Sequence, residues 1–149
     1  MFVGNDDLFR EALLLGRRSY EWFAARWSSR SGSLAERLNS VPKYIVSSTL
    51  EDPEWNNSQV LKGDPATEVS SLKQELGGEI VVYGSFELVH TLLANDLVDE
   101  LRLKIYPVVL GAGRRLFGEI SDRKSMRLID TRSIDDGIAF MTYELVRDA

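Results

Sequence analysis

The sequence predicts an α/β fold: a mixed, mostly parallel sheet flanked by helices, with an antiparallel hairpin at its C-terminal end. Three observations carry that prediction. Apolar runs of strand length at Ala12–Leu15, Tyr44–Val46 and Ile80–Tyr83 are separated by segments with helical spacing, the alternation that crossovers between parallel strands produce. Beyond Leu97 the apolar period changes to two. Asp135-Asp136-Gly137 then lies between Met126–Ile134 and Ile138–Val146, a turn sequence suited to a hairpin.

Each element has its own signal. Gly16 stops the first run, after which Tyr20, Phe23, Ala24 and Trp27 recur at helical spacing. Ser28–Ser33 reads as a flexible loop, and Ser33-Leu34-Ala35-Glu36 matches a capping box that starts a short helix. Val41-Pro42 ends it, because the residue before proline is pushed out of helical geometry. Trp55 sits in the turn-like stretch Glu51–Asn57, where its indole is expected to anchor the loop. Asp64-Pro65 opens another helix, whose Val69, Leu72 and Leu76 share a face, and Gly77-Gly78 is expected to stop it. The next helix follows Gly84-Ser85 and carries His90 as a surface residue. In the later strand Leu101, Leu103 and Ile105 are expected to face the core, with Glu100, Arg102 and Lys104 outward.

Composition narrows the function. The 149 residues, 44% hydrophobic and 28% charged, fit a single domain, 1–149, with one sizeable core. A net charge of -5 argues against a general nucleic-acid surface, which gathers basic charge over a whole face. The absence of cysteine excludes disulfides, thiolate nucleophiles and cysteine-ligated metals. One histidine and no spaced acidic cluster leave no metal site to expect. Met1–Gly4 has no leader-like pattern, and no run reaches the roughly eighteen apolar residues of a membrane span. A cytoplasmic protein that binds neither membrane nor nucleic acid is the expectation.

The candidate chemistry lies at three strand ends: Gly16 before Arg17-Arg18-Ser19, then Ser47-Ser48-Thr49, then Gly84-Ser85 before Phe86-Glu87-Leu88. Parallel strands would gather these turns in one crevice outside the carboxyl edge of the sheet. Helix starts there leave unpaired N–H groups and a partial positive charge, which suit a phosphate. Taken alone, each segment also reads as an ordinary strand–turn–helix junction with solvated arginines. Gly111-Ala112-Gly113 resembles the opening of a dinucleotide fingerprint, but Leu116 stands where the third glycine belongs, which excludes a Rossmann assignment. Arg114 and Arg115 beside it read as an exposed turn with solvated arginines, the alternative being a glycine-flexible loop that closes over a ligand with both as anion contacts. No G-x-S-x-G supports a hydrolase.

With those turns in place the chain resembles the dihydrofolate reductase-like family, in particular the reductase domain of bifunctional riboflavin-biosynthesis proteins and its stand-alone relatives. The resemblance rests on Leu15-Gly16-Arg17-Arg18-Ser19-Tyr20-Glu21, Lys43-Tyr44-Ile45-Val46-Ser47-Ser48-Thr49, Val82-Tyr83-Gly84-Ser85 with Leu88, and Val98-Asp99-Glu100-Leu101 leading to Pro107-Val108-Val109-Leu110-Gly111-Ala112-Gly113. It implies NADPH as cofactor and a pteridine, aminopyrimidine-ribose or related heterocycle as the small-molecule substrate. It also implies a homodimer. Carried over residue by residue, the cofactor side comprises Gly16, Arg17, Arg18, Ser19, Ser47, Ser48, Thr49, Lys62, Gly84, Ser85, Phe86 and Leu88. Leu110 and Gly111 fall on the substrate side.

The family pattern begins with a central strand and a Ser-Leu-Asp-Gly-like covering loop. Nothing in this chain matches that segment, and Met1–Arg10 is too short and polar to supply both. The expectation is a shortened form in which no catalytic proton donor is named. A non-catalytic nucleotide-binding module, or a dimeric assembly module, is the alternative reading.

Overall fold

The computed structural model describes residues 12–119 and 122–147, which form two compact units divided between Thr91 and Leu92. The reading of Met1–Arg10 lies outside the described residues.

The first unit is built on four parallel strands: β1 (Ala12–Gly16), β2 (Lys43–Val46), β3 (Ser58–Leu61) and β4 (Ile80–Val82), in the order β3-β2-β1-β4. Ala12–Leu15 are all buried, as both faces of an internal parallel strand are covered. Three fully buried leucines each contribute about 2 kcal/mol, so β1 is the axis of this unit. In β2 only Lys43 and Ile45 are buried, the alternation of a strand covered mainly on one side.

Helices α1 (Arg17–Trp27) and α2 (Ser33–Ser40) connect β1 to β2. Tyr20 and Phe23 of α1 and Leu38 of α2 pack with Leu13, Leu15, Ile45, Trp55 and Tyr83 in one apolar cluster. Helix α3 (Pro65–Glu75) returns the chain from β3 past β2 and β1 to β4, burying Val69 and Leu72. The direction of travel reverses after β3. Right-handed crossovers therefore put α3 on the face opposite α1 and α2.

Local signals were met unevenly. Asp64 caps α3, accepting from Thr67 N–H at 3.1 Å and from Thr67 Oγ1 at 2.9 Å. Val41 is extended and ends α2 before Pro42, as expected. The capping box does not form: Gly32 is the N-cap, Ser33 is already helical, and no side chain caps the start. Helix α3 stops at an extended Leu76 rather than at the glycines, because no left-handed residue is needed when the chain turns directly into extended backbone. Strand β3 had no sequence signal: Ser-Gln-Val-Leu is short and buries only Leu61.

Helix α4 (Phe86–Ala94) spans the division between the units. The second unit contains an antiparallel sheet of β5 (Glu100–Ile105), β6 (Ser125–Ile134) and β7 (Ile138–Val146), ordered β5-β7-β6. The Asp135–Gly137 hairpin forms, with Asp135 at φ 48° and Gly137 at φ 106°. Parallel and antiparallel parts thus both occur, hydrogen-bonded as separate sheets among the described residues. The alternation in β5 places Leu101, Leu103 and Ile105 on one face, opposite Tyr143, Met141 and Ala139. Burial does not follow it: Leu101 and Leu103 are half-buried and Ile105 is 53% exposed. Among the described residues no helix is long and apolar enough to cross a membrane.

Candidate functional site

All four strands of the first unit point the same way, so β1, β2, β3 and β4 deliver Gly16, Ser47, Lys62 and Gly84 to one edge of the sheet. The register fixes their order. Gly16 lies beside Val46, and Leu14 pairs with Val82 two residues before Gly84. The connection from β3 passes back over β2 and β1 to reach β4, so the turns after β1 and β4 lie side by side at the carboxyl edge, where open α/β sheets bind ligands.

Side chains tie the turns together. Gly16 N–H donates to Ser85 Oγ at 2.9 Å, across 69 residues of sequence. The Ser85 hydroxyl has a single proton to divide between Ser19 Oγ at 2.9 Å and the Tyr83 carbonyl at 3.0 Å. Gly84 and Ser85 are both left-handed, with φ 54° and 59°. Gly84 accommodates this without strain, whereas Ser85 does so at a cost its hydroxyl contacts offset. A Cβ on Gly84 would stand 3.4 Å from Ser19 Oγ, so the glycine also leaves the backbone open to close approach.

The second tie joins β1 to β2. Arg17 Nη1 donates to Thr49 Oγ1 at 2.5 Å, and its Nε donates to Glu21 Oε1 at 2.9 Å. Ser47 Oγ accepts from Thr49 N–H at 3.3 Å and from Leu50 N–H at 3.1 Å, closing the turn on itself. Its hydroxyl therefore shapes the loop, while Ser48 is exposed. Helix α1 begins at Arg17 with Gly16 as N-cap, no side-chain cap and no acidic residue in its first turn. Its first N–H groups keep the partial positive charge that favours an anion.

The remaining predicted residues divide. Arg17, Arg18, Lys62 and Phe86 are exposed at this edge, and Ser19 is half-buried behind it. Leu88 is 7% exposed, so its side chain is packing material. Leu110 and Gly111 belong to the second unit, in an irregular segment where Leu110 is 82% exposed. His90 is half-buried. A cleft of about 310 Å³ runs between the Leu50–Pro53 segment and β3 and reaches Lys62. A larger one of about 380 Å³ lies at the amino ends of β2 and β3 beside Lys43 and Trp55; no helix start faces it, and its neighbours are committed to structure.

Those neighbours are what sequence reasoning missed. Lys43 is 1% exposed, and its Nζ donates to the carbonyls of Asn39, Val41 and Asn56 at 3.1, 2.8 and 2.6 Å. The ammonium also lies 4.5 Å from the Trp55 ring. Burial pushes its pKa down to about 8. Trp55 is the loop anchor its setting suggested: its Nε1 donates to Asn39 Oδ1 at 2.6 Å and its N–H to Tyr20 Oη at 3.0 Å. Among the described residues no group of three or more His, Cys, Asp or Glu is placed to hold a metal.

Comparison with known proteins bears on the family and the fold. The family described as the RibD C-terminal domain matches residues 6–140. The Bacillus subtilis protein YyaP is 30% identical over 138 residues, covering 89% of this chain and 73% of its own length. A riboflavin biosynthesis protein from Shewanella sp. PV-4, described as putative in that structure, superposes with TM-score 0.76 at 22% identity, covering 92% of this chain and 75% of that one. Dihydrofolate reductase from Enterococcus faecalis, complexed with NADP(H), superposes with TM-score 0.62 at 15% identity, covering 91% and 74%. The fold is therefore dihydrofolate reductase-like.

Proposed function

The chain belongs to the RibD C-terminal domain family, and we propose on that footing that it is an NADPH-dependent reductase acting on a pteridine, an aminopyrimidine-ribose or a related heterocycle. The observation that carries the reading is the convergence of the three turns after β1, β2 and β4, joined by the Gly16–Ser85 and Arg17–Thr49 hydrogen bonds. The NADP(H) complex of the fold neighbour from Enterococcus faecalis supports the choice of cofactor.

The residues present fit such a group. Arg17 and Arg18 open a helix whose first turn holds no acid, and they would meet phosphates. Ser47, Ser48 and Lys62 would line the adenosine end, with the cleft beside Lys62 large enough for part of a nucleotide. Gly84, Ser85 and Phe86 would cradle the pyrophosphate, Gly84 by presenting bare backbone and Ser85 by holding the turn in its left-handed form. When bound, the reduced nicotinamide supplies a hydride equivalent to the substrate ring. The protein's share is to fix the cofactor and keep its turns from shifting, which is where positioning lowers the barrier.

Titrating the protein with NADPH while following cofactor fluorescence tests this. Saturable binding is expected, and no binding at about millimolar cofactor (~4 kcal/mol of affinity) ends the cofactor assignment. Turnover in a screen of pteridine and aminopyrimidine substrates separates a reductase from a module that only binds.

A further inference from the structure

Arg17 is held from two sides. Glu21, one helical turn along α1, accepts from its Nε, and Thr49 on the next turn of the site accepts from its Nη1. Both partners of the ion pair are about half exposed, at 45% and 53%. A guanidinium carries five N–H groups in a fixed plane, so these contacts set the plane and leave three donors for a ligand.

The same carboxylate has an opposite effect. A phosphate arriving at Arg17 shares the guanidinium with an anion already bound to it. Glu21 therefore orients the cation and also repels the charge that the cation would attract. The charge of an exposed pair spaced i, i+4 adds little to the orientation that the hydrogen bond itself provides, and a neutral amide oxygen would hold Nε almost as well. Repulsion is the larger effect at low ionic strength.

We propose that Glu21 sets how strongly this site distinguishes a dinucleotide carrying a ribose phosphate from one without it, holding Arg17 in place while its charge penalises the additional phosphate. This rests on the cofactor reading above, with the ribose phosphate as the one that Arg17 meets. Glu21 is a positioning and specificity-determining residue that takes no part in the transfer step.

The test is Glu21→Gln, which keeps an acceptor for Arg17 Nε and removes the charge. Dissociation constants for NADPH and NADH are measured by fluorescence titration for both proteins, at low and at physiological salt. NADPH is expected to bind the variant about three- to tenfold more tightly at low salt, with NADH changed less than about twofold and the gap narrowing as salt rises. An unchanged NADPH-to-NADH ratio in the variant, or one shifted toward NADH, overturns the proposal while the cofactor reading stands. Wild-type protein that binds neither dinucleotide overturns both. Glu21→Ala removes acceptor and charge together and is expected to gain less for NADPH than Glu21→Gln; an equal gain would overturn the positioning half.

Discussion

Ser85 is the residue on which the turns of the site lean most. It is not glycine, yet it is left-handed at φ 59°, and its hydroxyl receives the Gly16 N–H while touching Ser19 and Tyr83. Two effects can be separated by substitution. Ser85→Ala keeps the backbone cost and strands the Gly16 donor, for a loss of about 2 kcal/mol in chemical denaturation. Ser85→Gly loses the same hydroxyl but relieves the backbone, so it should be less damaging by about 1 kcal/mol. Equal losses would mean the left-handed conformation carries no strain. At Arg17, replacement by Ala is expected to weaken NADPH by about tenfold and NADH less, if the guanidinium meets the ribose phosphate; equal loss would move the contact to the pyrophosphate. Fluorescence titration reads both.

Among the elements, α3 and β2 show what local sequence can and cannot specify. Asp64-Pro65 announces the start of α3 because the cap and the first-turn proline act within four residues, and Asp64→Ala should cost about 1 kcal/mol by thermal or urea unfolding. Strand β1 was legible from its unbroken apolar run, and α1 from its spacing. Strand β3 was not, since its place beside β2 comes from pairing rather than from a pattern of its own. The start of β2 was equally opaque: a lysine in an apolar run reads as exposed, and only the three carbonyls converging from Asn39 of α2, its C-cap Val41 and the Asn56 loop explain its burial. That burial has a pH signature. With the folded pKa lowered to about 8 and the ordinary value at 10.5, the unfolded chain binds more protons between those limits. The free energy of unfolding should therefore rise with pH across that window. Lys43→Met should lack this increment in pH-dependent urea unfolding, and an identical slope in both proteins would contradict it.

For the whole molecule, the fold class was readable because periodicity changes visibly from the α/β half to the antiparallel half. The site was readable only as far as its turns. Parallel alternation brings Gly16, Ser47 and Gly84 to one edge, but the contacts of Arg17 with Thr49 and of Ser85 with Gly16 and Ser19 span 32 to 69 residues, for which local patterns hold no signal. The homodimer implied by the resemblance is a proposal of the same kind. Sedimentation at several concentrations should give twice the chain mass, and a concentration-independent monomer would refute it.

Uniform strand polarity gives the first unit two rims with unlike duties. At the rim where the strands begin, Lys43, Asn39 and Trp55 lock loops and helices to one another; at the rim where they finish, small, hydroxyl and basic residues hold the turns. Exchanges on the finishing rim can thus retune what is recognised while the locking rim preserves the architecture, so one scaffold can be adapted to new ligands without being rebuilt.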